Sequence, residues 1–350
     1  PGTSVDHHLR GSTIRLVIHL RIIAPPGHCE HVLELLDDAE TVFNIVYLPG
    51  AARKPVGDVI LCDVARRDAS LLVADLRELD IDVDGSIAIE EVDAEIDGIA
   101  KDATRRRRDD ISSDPVVWES VSSKTSENVE LSHSFLLFMV LAMLIASVGI
   151  YFDQPILIVG AMVVGPDFGP IAGICVALVN RNRELVRRSG MALAAGFGLG
   201  ILATFTATHL LDFIDQIPDS IDFDTHDFTA FIAEPDFFSV YVSLIAGVVG
   251  VLSLTTAKSS ALVGVLISVT TIPAAANVGV AAAYSDWSVA GGAALQLVLN
   301  LTCLTVAGLI TLLLQRRLYM RRRRAHLSDE SRRDAGLPIG ESRRARVDPS

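Results

Sequence analysis

Between residues 134 and 314 the chain is almost free of charge except in short clusters. Its apolar runs there approach about twenty residues, the length at which a helix rising 1.5 Å per residue crosses the hydrocarbon of a bilayer. Half of the residues are hydrophobic, more than a soluble chain of this size needs for its core. The pattern predicts a membrane bundle of six helices, over 134–152, 155–179, 190–211, 237–254, 261–284 and 289–314, within a domain over 133–314.

The loops set the expected orientation. Arg181, Arg183, Arg187 and Arg188 follow the second span, Lys258 follows the fourth, and Arg316 and Arg317 follow the sixth. Loop 212–236 has no Lys or Arg but carries Asp212, Asp215, Asp219, Asp222, Asp224, Asp227, Glu234 and Asp236. With six spans every basic loop falls on one side, whereas five would split them. The positive-inside rule then predicts a plasma-membrane protein with both termini cytoplasmic and the acidic loop outside. The net charge of −13 is uneven, with an acidic stretch over 13–100 and an Arg-rich tail over 315–350 that is expected to be disordered. An acidic soluble domain argues against nucleic acid as a partner. Residues 1–11 are polar, so no secretory signal is expected there.

Residues 13–97 read as a small α+β domain. Strands are predicted over 14–23, 41–48, 57–64 and 86–92, with helices over 28–39 and 69–79. Pro25-Pro26-Gly27 and Pro49-Gly50 punctuate them. That βαββαβ order predicts a ferredoxin-like sandwich, a shape that regulates or joins subunits in many settings. Residues 98–132, with the arginine block 105–108, read as a linker near the cytoplasmic lipid surface. His28-Cys29-Glu30-His31 contains metal-competent donors. Adjacent helical residues diverge, however, and no distant Cys/His pair completes a set, so no metal or cofactor is expected. Cys29, Cys62, Cys175 and Cys303 lack CxxC spacing, and the last two lie in apolar runs, which argues against disulfides.

The two halves of the bundle resemble each other. Leu144-Ile145-Ala146-Ser147 is echoed by Leu244-Ile245-Ala246-Gly247, and Val159-Gly160 by Val263-Gly264. Beyond each of those glycines comes a break, Gly165-Pro166-Asp167-Phe168-Gly169-Pro170 in one half and Thr270-Thr271-Ile272-Pro273 in the other. Three spans per unit would insert the second unit upside down. Such inverted repeats with interrupted helices point to a transporter's central site, because a break frees backbone groups that need a partner.

Asp167 sits between two Gly-Pro pairs at membrane depth, where an ionisable group is a functional candidate by default. The alternative is that it caps a half-helix at a re-entrant tip. Asn277 follows the second break, and Gln296 and Asn300 share one face of the sixth span, with Thr302 and Thr305 nearby. These residues suit a polar path, and equally interhelical hydrogen bonds. Ala192, Gly196 and Gly200 form a packing stripe, and His209 is expected at the solvated external end of the third span.

The run at 158–178, IVGAMVVGPDFGPIAGICVAL, resembles a prokaryotic family of multi-pass membrane proteins called domain of unknown function 389, or uncharacterised hydrophobic protein. The resemblance rests on Gly160-Ala161-Met162, the following Pro166 and Gly169-Pro170, and the basic loop reaching Ser189. It implies a multi-pass membrane protein and no established activity. Many members carry an apolar residue where Asp167 stands.

Two functions are expected from these readings. The first is a transporter or channel for an ion or small solute, acting at broken helices two and five, with the soluble domain gating it or joining subunits of a homo-oligomer. The acidic outer loop tilts that expectation towards cations. The second is a sensor or scaffold whose helices only anchor and oligomerise. An enzyme is not expected, since GxSxG, HExxH and paired intramembrane aspartates are absent from the sequence.

Overall fold

The computed structural model describes residues 17–92, 131–217, 237–255, 260–328 and 331–342. The linker expected over 98–132 and most of the acidic loop lie outside them. The chain divides into two compact units, Pro1–Val117 with Tyr319–Ser350, and Trp118–Leu318.

The first unit holds β1 (Val17–Ala24), α1 (Cys29–Asp37), β2 (Val42–Arg53), β3 (Val56–Ala65), α2 (Arg66–Glu78), the short α3 (Ile81–Asp84) and β4 (Ser86–Val92). They form one four-stranded sheet in the order β2-β3-β1-β4. All three strand pairings are antiparallel. Alternation in β1 sends Ile18, Leu20 and Ile22 inward, and the register aligns them with Val64, Cys62 and Ile60 of β3. Ile89 and Ile87 of β4 continue the rows beside Leu20 and Ile22. Val32, Leu35 and Leu36 of α1, with Leu72, Val73 and Leu76 of α2, close that core. The opposite face is mixed: Val17 and Phe43 form a small buried apolar cluster there, His19 Nδ1 lies 2.7 Å from Asp63 Oδ1, and Asn44 donates to the same carboxylate at 2.9 Å.

The C-terminal tail departs from expectation. Helix does not stop near 314, and residues 331–342 are built into the first unit instead of lying free. Arg332, Ala335 and Leu337 are buried there, the last two within the same apolar core.

The second unit is helical: α4 (His133–Tyr151), α5 (Pro155–Val164), α6 (Phe168–Asn180), α7 (Arg183–Phe213), α8 (Phe237–Thr255) and α9 (Ser260–Ala283). It also holds the first part of α10 (Trp287–His326), which is followed in the first unit by α11 (Ser331–Asp334). Helices α4, α7, α8 and α10 are long and apolar enough to cross a membrane, and α5 with α6, bent by 51°, makes a fifth crossing if counted together. The span expected over 155–179 is therefore two helices. The one expected over 261–284 coincides with α9, whose side chains are described from Thr271 onward. The basic stretch 183–189 is helical, since Asn182 caps α7 by accepting from the Leu185 N–H at 3.0 Å. Outward-facing Ile156, Val163, Leu202 and Val298 are all more than half exposed, a surface that calls for an apolar solvent. The unit is a membrane helical bundle.

Its helices meet through small residues. Gly196 and Gly200 of α7 receive Met139 and Met143 of α4, so the predicted stripe is a packing surface. A Cβ on Gly247 of α8 would stand 2.5 Å from the Leu304 carbonyl of α10, which makes glycine obligatory at that crossing.

Candidate functional site in the membrane bundle

The break between α5 and α6 follows from two prolines used in opposite ways. Pro166 has no N–H and pushes the preceding residue out of the helical region, and Gly165 indeed turns extended, with φ −66° and ψ 123°. Pro170 is the third residue of α6, where the N–H has no partner within the helix, so it favours the start of a new helix. Asp167 is left as the residue preceding α6, and it is fully buried. Its carboxylate does not cap the helix, which sets aside the capping role. It accepts instead from the hydroxyl of Thr271 on α9.

Thr271 is also fully buried and lies two residues before Pro273. The break expected over 270–273 does not form: Pro273 removes one N–H from the ladder, and α9 runs on through it as a single helix. The contact therefore joins the break between α5 and α6 to the proline-bearing part of α9, 104 positions apart in the chain. Gly165, Pro166 and Gly169 flank it as half-buried residues, and Pro170 is buried. Of Thr270 only the backbone, within α9, is described.

One and a half turns past Thr271, Asn277 is fully buried, and neither its Oδ1 nor its Nδ2 finds a partner among the described residues. Each unmet group of this kind costs about 1–3 kcal/mol, a cost that water or a bound solute relieves. Gln296 of α10 is also buried, with Oε1 unmet. Asn300, one turn on, is engaged, since its Oδ1 accepts from Ser243 Oγ of α8 at 2.9 Å. Thr302 and Thr305 spend their hydroxyls on the carbonyls of Val298 and Leu301, and so are satisfied within α10.

Sequence reasoning passed over several buried polar groups. Ser239 and Ser243 lie one turn apart on α8, a spacing that could have flagged them. Tyr151 and Thr208 join the ends of α4 and α7 at 2.7 Å. Thr204 and the Ile201 carbonyl crowd Gly279 of α9 so closely that a Cβ there has no room. His209 keeps an exposed position, edge-on to Phe205 with ring centroids 4.7 Å apart.

In the first unit, Asp58 accepts from the Gly50 N–H at 2.7 Å and from Tyr47 Oη at 3.0 Å. The Gly50 N–H, followed by Cys29 and Tyr47, holds the Asp58 carboxyl below the usual range. Hydrogen bonds with Cys29 and Asp58 push the Tyr47 phenol up to about 12. Burial, with Asp58, raises the Cys29 thiol, so it is not an activated nucleophile. Among the described residues no group of three or more His, Cys, Asp or Glu is placed to hold a metal ion.

Residues 162–306 match the family model described as Domain of unknown function (DUF389). A curated relative, the uncharacterized protein MJ0678 of Methanocaldococcus jannaschii, is 27% identical over 164 residues, 47% of this chain. The chain spans about half of that relative's length, 48% of it. No solved structure matches the chain significantly. The matched region contains the break at Asp167 together with Thr271, Asn277, Gln296 and Asn300, so the candidate site lies wholly inside the part of the chain that is similar to the DUF389 model.

Proposed function

We propose that the chain is a transporter or channel that moves an ion or small solute across the plasma membrane, through a path built on the broken α5–α6 pair and the proline-bearing α9. The observation that carries this reading is the junction between them. A fully buried carboxylate at the break, Asp167, receives the hydroxyl of Thr271, two residues before Pro273. An anchor needs neither a broken helix nor a buried acid, and both cost stability in an apolar surround. The unmet amide of Asn277 adds to the argument, because a buried donor and acceptor in a purely structural core would be paired.

Six spans in a 3+3 inverted repeat, with both termini cytoplasmic, accommodate the contacts at the helix ends. Gln315 donates to Thr255 Oγ1 at 2.9 Å and Arg316 to the Val179 carbonyl, which ties α10 to the ends of α8 and α6. Tyr151 and Thr208 tie the opposite ends of α4 and α7. The first set sits with the arginines at 181–188 and 316–317. Exposed Phe152, Phe213, Phe237 and Trp287 lie at helix ends of the second kind, as an aromatic belt would. The soluble unit, whose strand order and antiparallel pairing suit a ferredoxin-like sandwich, is the proposed regulatory or subunit-joining part. Outward-opening Gly160 and Gly198 leave room for a second copy in a homo-oligomer.

Thiol access tests the path. With the four native cysteines replaced, Asn277→Cys in the membrane-embedded protein is expected to react with a small hydrophilic thiol reagent, and lipid-facing Val298→Cys is expected not to. An Asn277→Cys side chain as inert as that of Val298→Cys would mean a dry core, and the bundle would be an anchor.

A further inference from the structure

Outside the membrane bundle, the most heavily built polar cluster lies on α2. Asp75 and Glu78 are three residues apart, hence on one face of the helix, and their side chains are 1% and 2% exposed. Two guanidinium groups from the C-terminal segment each bridge both acids. Arg323 reaches Asp75 Oδ1 and Glu78 Oε1, both at 2.5 Å. Arg332, with no exposed side-chain surface, donates through Nη1 to Asp75 Oδ1 and through Nη2 to Glu78 Oε2 at 2.8 Å. His326 Nε2 lies 2.6 Å from Asp75 Oδ2, and Ser342 donates to Glu78 Oε1 at 2.7 Å.

We propose that this acid pair is a guanidinium-recognition site, and that residues 331–342, together with Arg323 and His326 at the end of α10, are a displaceable strap occupying it in cis. The chemistry fits a guanidinium specifically. A planar fork spans two carboxylates in a way that a point-charge ammonium does not. The rest of the hold is thin: Ala335 and Leu337 are its buried apolar anchors. Gly336, at φ +71°, turns the backbone past His31 of α1, and the Gly340 N–H returns to the Leu327 carbonyl at 2.6 Å. The fit is also imperfect, since Arg332 Nε is buried without a partner among the described residues. A segment meant never to leave is better held by apolar packing, because a buried ion pair recovers little beyond the cost of stripping water from its charges. When the strap leaves, the two carboxylates open beside an apolar groove and accept another guanidinium-bearing ligand, such as an arginine side chain presented by a peptide.

Hydrogen exchange read by mass spectrometry on the full chain in detergent tests this. Arg332→Lys keeps the charge but loses the fork, and amides over 331–342 should then exchange at least about tenfold faster, while those of β1 and β3 keep their wild-type rates. In the wild type, arginine amide should speed exchange over 331–342 and lysine amide at equal ionic strength should not. Equal effects of the two amides, or wild-type exchange in Arg332→Lys, would remove the guanidinium site. Opening of 331–342 in step with the whole sheet would make the segment a permanent piece of the core rather than a strap.

Discussion

Replacing Thr271 by Val removes the hydroxyl that links α9 to the break between α5 and α6 while nearly preserving shape. Asp167 and Thr271 are both fully buried, so water cannot simply replace the lost donor. A hydrogen bond to a charged acceptor contributes about 1.5–3 kcal/mol, and one to a neutral acceptor about 0.5–1.5. Thr271→Val should therefore cost about 2 kcal/mol in the wild type and about 1 kcal/mol beside Asp167→Asn, whose amide oxygen still accepts. The double-mutant cycle then carries a coupling on the order of 1 kcal/mol. Reversible unfolding in mixed micelles reads all four proteins. If the two substitutions add within about 0.5 kcal/mol, the side chains do not interact and the junction of α9 with the break is refuted.

Two further substitutions test packing and charge. Gly279→Ala puts a Cβ against Thr204 and 2.7 Å from the Ile201 carbonyl, whereas Gly160→Ala meets nothing within 4 Å. Helix propensity favours alanine by about 1 kcal/mol, while overpacking costs about 1–3 kcal/mol. Thermal unfolding should thus find Gly160→Ala neutral or stabilised and Gly279→Ala destabilised, and the opposite ranking would contradict the α7–α9 contact. Asp75→Asn strips a charge from the pair that holds buried Arg332 and should weaken strap docking by about 3–5 kcal/mol, seen as rapid exchange over 331–342. Burial alone would raise the Asp75 carboxyl, but the His326 hydrogen bond and the charges of Arg323, His326 and Arg332 hold it below its usual range. A depressed folded value means that this stabilisation is complete above the unfolded value and lost as pH falls through the folded one. Strap protection should hold at neutral pH and fade below about pH 4, and fading near neutrality would contradict that assignment.

The first unit was legible where side chains repeat on a short period. Alternation through Ile18, Leu20 and Ile22 and the spacing of Val32, Leu35 and Leu36 carry the information within one element. Pro166 and Pro170 made the break at Asp167 legible for the same local reason, whereas Pro273 alone, without a flanking glycine or a second proline, leaves α9 continuous where a matching break was expected. The tail was misread because an Arg-rich segment looks like a solvated charge run, and its partners lie about 250 positions upstream, Arg323 and Asp75 being 248 apart. Asp75 and Glu78 gave no warning, since α2 also buries Ala69, Leu72, Val73 and Leu76 and two acids beside them look like its wet edge. The pairing of Asn300 with Ser243, 57 positions away, was hidden likewise, because no short-range pattern links residues on different helices.

Flux in sealed proteoliposomes, followed with dyes for pH, K⁺ and Na⁺ and a panel of small solutes, tests the central claim most directly. The account predicts that the wild-type protein moves one of these species and that Asp167→Asn abolishes or sharply reduces its movement. Flux unchanged by Asp167→Asn would remove the acid from the path. The absence of flux in correctly inserted wild-type protein would contradict the transporter and leave the bundle as the anchor of a soluble sensor.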